Sequence, residues 1–275
     1  MKELFLSFVA LAVAPAGLAY ANPRALPFTY TTDTLAPGAA EIEQTVDAVP
    51  LRATSINTGA ETSYLATSFQ TELEIGLCRN LELALYFTFA PAQQSLTNTA
   101  RLPESNGIKQ RLRYILADPG EWPIDVGFYG ELSENDREVE LEAKVLLQRR
   151  FGKLRVAANL WAEYEFYFEK DAVTGDHQRD VVINPTFGAT YEVTPNVHVG
   201  LDSWLRGEYP TNPSPATRTF GLGPEYYIGP AVMMSFEKVW WTVAAYVRVT
   251  DTDHDLQIAE PFGKVWFRTM VGYDL

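Results

Sequence analysis

Cysteine is almost missing from this chain of 275 residues: Cys78 stands alone, so no intramolecular disulfide forms. No activating neighbourhood for a thiolate is legible around it, and it reads as incidental. Cations are scarce, with 22 Lys and Arg against 35 Asp and Glu. The net charge of −13 and a sequence pI near 4.7 exclude the basic surface that nucleic acid requires. Beyond the N-terminus no apolar run approaches the 18 or so residues of a membrane-spanning helix. Histidine is rare too. His177, His198 and His254 stand at no metal-ligand spacing, so no metal and no cofactor is expected.

One apolar stretch does exist, at the start. Lys2 supplies a positive charge, Leu4 to Ala14 an apolar core, and Ala19-Tyr20-Ala21 a small-x-small cleavage pattern. Residues 1–21 are therefore expected to be a secretory signal peptide, and the lack of a cysteine at the cleavage point speaks against a lipoprotein. Residues 22–38 carry Pro23, Pro27, Pro37 and Gly38 with little alternation. They read as an irregular lead segment, placed either in the periplasm or inside a lumen.

What the chain has in quantity is alternation. From Leu154 to Phe168 one set of alternate residues is apolar throughout, while the other includes Arg155, Asn159, Glu163 and Glu165. A period of two marks a strand with two unlike faces. At ~3.3 Å per residue this strand is ~50 Å long, more than a tilted strand of about 9–11 residues needs to cross a bilayer. About twelve such segments are expected, near 39–48, 62–77, 81–90, 107–116, 123–133, 138–149, 153–168, 180–193, 197–208, 219–236, 239–250 and 263–275. Their connections alternate between short and long, with the one at 134–137 as exception. Outer-membrane barrels have short periplasmic turns and longer external loops. A mean hydropathy of only −0.11 alongside 47% hydrophobic residues fits strands in which every second residue is polar. The fold class expected is all-β, a transmembrane antiparallel up-and-down barrel over residues 39–275, located in the bacterial outer membrane. Pro224 and Pro230 predict bulges, or a break dividing residues 219–236; Pro185 raises the same question in the eighth segment.

Turning the polar face inward gathers the charges into blocks. Lys109, Arg111 and Arg113 lie on the fourth segment, with Glu72, Glu74 and Glu82 before them and Asp125 and Glu131 after. Glu140, Glu142, Glu163 and Glu165 follow, with Lys144 and Arg155 between them, then Asp202, Arg206 and Arg248. Lys264 and Arg268 on the last segment fall beside Glu41, Glu43 and Asp47 on closure. These lumen-lining candidates form either a salt-bridge lattice that braces the wall or a selectivity surface. Aromatics at segment ends, among them Phe87, Phe89, Tyr226, Tyr227, Trp240, Trp241, Trp266 and Phe267, are expected to form interfacial girdles.

Catalytic readings find little support. His198 has Asp202 and Ser203 nearby, but His198 and Ser203 point to opposite faces. Asp251-Thr252-Asp253-His254-Asp255 starts like a calcium loop, yet Leu256 stands where Gly is needed and Phe262 where Glu is needed. No enzyme is expected.

Pro27-Phe28-Thr29-Tyr30 and Thr34-Leu35-Ala36-Pro37-Gly38, leading into Glu41-Ile42-Glu43-Gln44, resemble the phenol meta-pathway-like group of proteobacterial outer-membrane transporters. Gly229-Pro230-Ala231-Val232 followed by Trp240-Trp241-Thr242-Val243 extends the resemblance. It implies a barrel that passes small organic compounds, and it transfers no binding residue. The expectation is a monomer in outer-membrane lipid, delivered by assembly machinery that reads the C-terminal strand, and passing an unidentified small solute. The alternatives are a non-conducting barrel with a structural or surface-interaction role and, behind it, a barrel lipid hydrolase.

Overall fold

The computed structural model describes residues 22–54, 61–90, 107–170, 174–211, 225–250 and 263–275. Residues 1–21 (expected to be a signal peptide), Pro224 and the calcium-like Asp251–Asp255 lie outside these residues. Thirteen strands run in chain order: β1 Ala40–Thr54, β2 Glu61–Cys78, β3 Leu81–Phe89, β4 Gly107–Ile115, β5 Asp125–Asn135, β6 Glu138–Phe151, β7 Leu154–Lys170, β8 His177–Ile183, β9 Thr186–Thr194, β10 Val197–Pro210, β11 Glu225–Phe236, β12 Val239–Arg248 and β13 Val265–Asp274. Each pairs antiparallel with its neighbours. β13 closes onto β1 from Glu41↔Asp274 to Ala48↔Phe267, and β10 joins β11.

β8 and β9 are two lengths of one stave. Both lie between β7 and β10, and the register is the same on either side of the gap, Ala162↔Ile183 and then Asn159↔Thr186. The thirteen strands therefore make a closed barrel of twelve staves. The gap falls at Pro185, which has no N–H to give to a ladder. The break expected within residues 219–236 does not occur in the described part, since β11 is continuous. Pro230 merely interrupts the pairing with β12 between Ile228↔Val247 and Ala231↔Ala244, without a shift of register.

Connections obey turn chemistry. Asn80 closes the β2–β3 turn with φ of 63°, a conformation asparagine tolerates, and Gly152 does the same after β6 with φ of 60°. The two-residue β5–β6 link, short where its companions at that end are long, is an Asx turn. The Asn135 side chain accepts from the main-chain N–H of Arg137 at 2.8 Å and of Glu138 at 3.1 Å.

The faces sort as alternation requires. Leu65, Phe87, Phe128, Leu141, Leu160, Phe187, Leu201 and Phe267 are exposed on the outer wall. Among the described residues nothing packs over them, so hydrocarbon is the medium that makes this surface stable. The inner face is not uniformly polar, however. Val49, Leu51, Trp204, Tyr227, Tyr246 and Trp266 pack into an inward cluster. Trp240, Trp266 and Tyr227 thus leave the expected girdles, while Trp241 and Phe267 stay on the outer wall. Adjacent residues face opposite ways, and each of these three inward rings, Trp240, Trp266 and Tyr227, has a polar partner. Trp240 Nε1 donates to Glu41 at 3.0 Å, Trp266 Nε1 to Asp47 at 2.8 Å, and Tyr227 Oη to the carbonyl of Gly263 at 2.5 Å.

Candidate functional site

Staves about 4.8 Å apart and tilted about 40° close a twelve-stave wall at a diameter of roughly 24 Å between backbones. Side chains from both walls leave room for about one extended chain, which occupies ~10 Å. Residues 22–35 take that room, and residues 36–38 are exposed where the lead joins β1. The open choice between periplasm and lumen is thereby decided for the lumen.

The lead segment lies between two unlike halves of the inner surface. One half is ionic. Arg111 on β4 sits opposite Ala84 on β3, whose methyl group lets the guanidinium reach over that strand to β2. Its two terminal nitrogens meet Glu72 at 2.7 Å, Glu74 at 2.7 Å, Glu82 at 2.6 Å and the Tyr86 hydroxyl at 2.7 Å. Arg113 shares Glu82 at 2.7 Å. Arg24 of the lead enters the same lattice, 3.1 Å from Glu43 and 3.8 Å from Glu72. The carboxylates of Glu43, Glu72 and Glu74 converge as the ligands of an ion would. Arginines already supply the positive charge there. Next along the wall, Lys109 pairs with Glu131 at 3.5 Å, and Lys144 pairs with Glu142 at 2.7 Å while lying over the rings of Trp161, Tyr129 and the lead's Tyr30.

The other half is aromatic. Phe28 of the lead packs 5.0 Å from Trp204, 5.0 Å from Tyr246 and 5.9 Å from Trp266, with the Arg268 guanidinium 4.0 Å from its ring centroid. Leu26 fills a dent left by Gly188 and Gly200, where a Cβ would come to 2.8 Å and 3.1 Å of its methyl groups. That close approach is what glycine permits on an otherwise closed face.

Polar side chains of the wall hold the lead's backbone. Asp202 accepts the Phe28 N–H at 2.8 Å and the Thr29 hydroxyl at 2.6 Å. Asn159 accepts from the Tyr30 N–H at 2.7 Å and donates to the Tyr30 carbonyl at 2.9 Å. Glu82 accepts the Leu35 N–H at 2.9 Å, and Thr242 donates to the Arg24 carbonyl at 2.7 Å. Asp33 meets Arg150 at 2.5 Å and also pairs with Arg155.

Most expected lumen residues are where alternation places them. Arg206 bridges Glu163, Glu165 and Glu208; Arg248 pairs with Glu225 at 3.0 Å; Arg268 holds Asp47 at 2.6 Å. Glu140 stands on the inner face opposite Ser133 and Glu165. Asp125 is engaged at the barrel's end, where it accepts the Gly120 N–H at 2.7 Å. Lys264 is a correction: it precedes β13 and is exposed at the rim, beyond the point where strand alternation would turn it inward. Arg24, Asp33, Asn159 and Thr242 are contacts that the charge pattern of the strands does not point to. The first two lie in a segment without periodicity, and the last two are uncharged.

A closed antiparallel barrel with an apolar outer wall and a polar, occupied lumen is a bacterial outer-membrane β-barrel. The chain belongs to a family of unknown function, DUF6662, whose model matches residues 18–255. Among solved structures it is similar to the NanC porin, with 11% identity and a TM-score of 0.54 over 84% of this chain and 100% of that one. It is likewise similar to the COG4313 outer membrane channel from Pseudomonas putida F1, with 12% identity and a TM-score of 0.54 over 89% and 98%. At such identities the likeness is one of fold. A comparison with curated proteins finds no match.

Proposed function

We propose that this barrel is a passive channel for small solutes, shut in the present state by residues 22–38. The observation that carries this reading is the way the lead is held. It adds no strand to the wall, and it hangs on side-chain hydrogen bonds that water replaces on release. The path it would vacate runs between an ionic and an aromatic half, a lining suited to a small organic molecule with a polar group. The resemblance to the phenol meta-pathway-like group and the likeness to barrels described as a porin and a channel support the same reading. The short connections then face the periplasm. A monomer works alone, and β13, paired to β1 through to the Leu275 N–H, is the strand offered to the assembly machinery.

Planar-bilayer conductance of refolded protein tests the proposal. Protein that starts at Asn22 opens rarely, while deletion of residues 22–38 gives sustained openings. Silence after deletion, with the barrel folded, favours the second reading, a non-conducting barrel acting through its surface; the filled lumen is the observation on that side.

A further inference from the structure

Glu41 occupies a position that lacks a cation. It lies on the inner face of β1 and is wholly buried. Its direct cross-strand neighbours are Glu74 on β2 and Asp274 on β13, so three carboxylates stand in a row across the seam. Like charges directly opposite destabilise a sheet. Arg111 answers Glu74. Among the described residues no lysine or arginine forms an ion pair with Glu41. It receives two neutral donors instead, Trp240 Nε1 at 3.0 Å and the main-chain nitrogen of Asn22 at 3.1 Å. A buried carboxylate calls for a counter-charge as well as hydrogen bonds.

That main-chain nitrogen is the one that follows Ala19-Tyr20-Ala21. Hydrolysis of the Ala21–Asn22 bond by a signal-removing peptidase takes up one water. It leaves a carboxylate on Ala21 and an amine on Asn22, which takes up a proton at neutral pH, since an ordinary α-amine has a pKa of about 7.7–8.0. We infer that Glu41, with Trp240 beside it, is the receptor for the chain's own processed N-terminus, an α-ammonium that completes the ion pair which the precursor's amide does not form. The inference rests on cleavage after Ala21 and is independent of the channel reading. It makes processing a condition for full seating of the lead. Once the terminus is docked at Glu41, Arg24 is set against Glu43, two residues on in the lead and in β1 alike, as the 3.1 Å contact shows.

Intact mass of protein taken from outer membranes is the first measurement. A mature chain beginning at Asn22 is expected, and any other start overturns the inference. The second is an NMR titration of the α-amine of that protein after 13C reductive methylation, which preserves its charge. The groups facing it are Glu41 and Glu43 from β1, Glu74 from β2 and Asp274 from β13, with Arg24 nearby on the lead. Burial alone would lower the pKa of an amine, whereas a carboxylate partner raises it. A midpoint at least one unit above the ordinary range is expected, and an ordinary or lowered one overturns the proposal. In refolded protein, retention of Ala21 should speed release of the lead, and the difference should vanish in Glu41→Gln. Persistence of the difference in that variant counts against the pair. Should Glu41→Gln not fold, the titration on the unaltered chain decides.

Discussion

Asp202→Asn is the substitution that bears most directly on the lead segment as a gate. The carboxylate takes four hydrogen bonds in two pairs. Oδ2 receives the Phe28 N–H at 2.8 Å and the Tyr246 hydroxyl at 3.0 Å. Oδ1 receives the Thr29 hydroxyl at 2.6 Å and the Ser203 N–H at 3.1 Å. Asparagine keeps the shape and loses one acceptor. If its amide nitrogen replaces Oδ2, the Phe28 N–H is orphaned. If it replaces Oδ1, the Thr29 hydroxyl must reverse and the Ser203 N–H is orphaned. Either orientation weakens a bond between lead and wall and leaves a buried donor unmet, at a cost of about 1–3 kcal/mol. Placed on the docking equilibrium, that raises the undocked fraction roughly 5- to 150-fold. Single-channel recording should show the open fraction rise by that factor while the barrel still resists unfolding in detergent. Asp125→Asn, whose carboxylate serves Gly120 at the barrel's end, should leave it unchanged. An unaltered open fraction in folded Asp202→Asn protein would refute the idea that docking of residues 22–38 controls passage.

Other substitutions separate the wall from its contents. Leu160 lies outward near the middle of β7 and is 59% exposed; Leu160→Arg should cost about 2–4 kcal/mol in urea titrations of folding into vesicles, whereas Phe151→Arg at the end of β6 should cost about 0–1 kcal/mol. Equal effects would mean that this face does not meet lipid. Arg111→Met strips the shared cation from Glu72, Glu74 and Glu82, and about 3–5 kcal/mol of stability should go with it by the same titration; a neutral result would show that the lattice is not needed to hold these carboxylates. At the short-connection end, the hydrogen bond from Arg79, and then that from Asn80, hold the Asp118 carboxyl below its ordinary range. A depressed pKa contributes stability that is complete above the unfolded value of about 3.9 and fades as pH falls through the folded one. Wild type should therefore lose unfolding temperature relative to Asp118→Asn only below about pH 4, and a gap that widens above pH 5 would contradict the sign.

The barrel was legible because its physics is local. Alternation in β7 sorts Leu160 from Glu163 without knowledge of any other strand, and connection length sorts the two ends. The lumen was half legible. Charge on the polar face located Arg111, Glu82 and Asp202, but reading the aromatics at segment ends as interfacial girdles moved Trp240, Trp266 and Tyr227 to the wrong side. Those rings sit inside because Glu41, Asp47 and the Gly263 carbonyl satisfy their polar atoms, and such pairings join residues up to 219 positions apart. Pro230 and Pro185 look alike in sequence. Pro185 divides its stave and Pro230 does not, a difference that depends on ladder partners on both sides. Nothing periodic marks residues 22–38, so only the shape of the lumen shows where they go.

The way in which the lead is anchored has a thermodynamic consequence. Each strand of the wall is held on both edges by a backbone ladder, so the barrel remains closed whether or not the lead is present. The lead holds its place through side-chain hydrogen bonds with the wall, two each at Asn159 and Asp202 and one each at Glu82 and Thr242, each worth about 0.5–1.5 kcal/mol net, or about 1.5–3 kcal/mol where a carboxylate accepts. Fixing the backbone of each residue opposes this by about 1–2 kcal/mol. The two effects are of the same order. The balance is therefore set by the few side chains that bury apolar surface, Leu26 and Phe28, and by the ion pairs of Arg24 and Asp33. A solute competing for the Phe28 site needs only a few kcal/mol of preference for the undocked state to reverse the populations. A plug built as a thirteenth stave could not be displaced on those terms. One that borrows side chains of the wall for its hydrogen bonds can be.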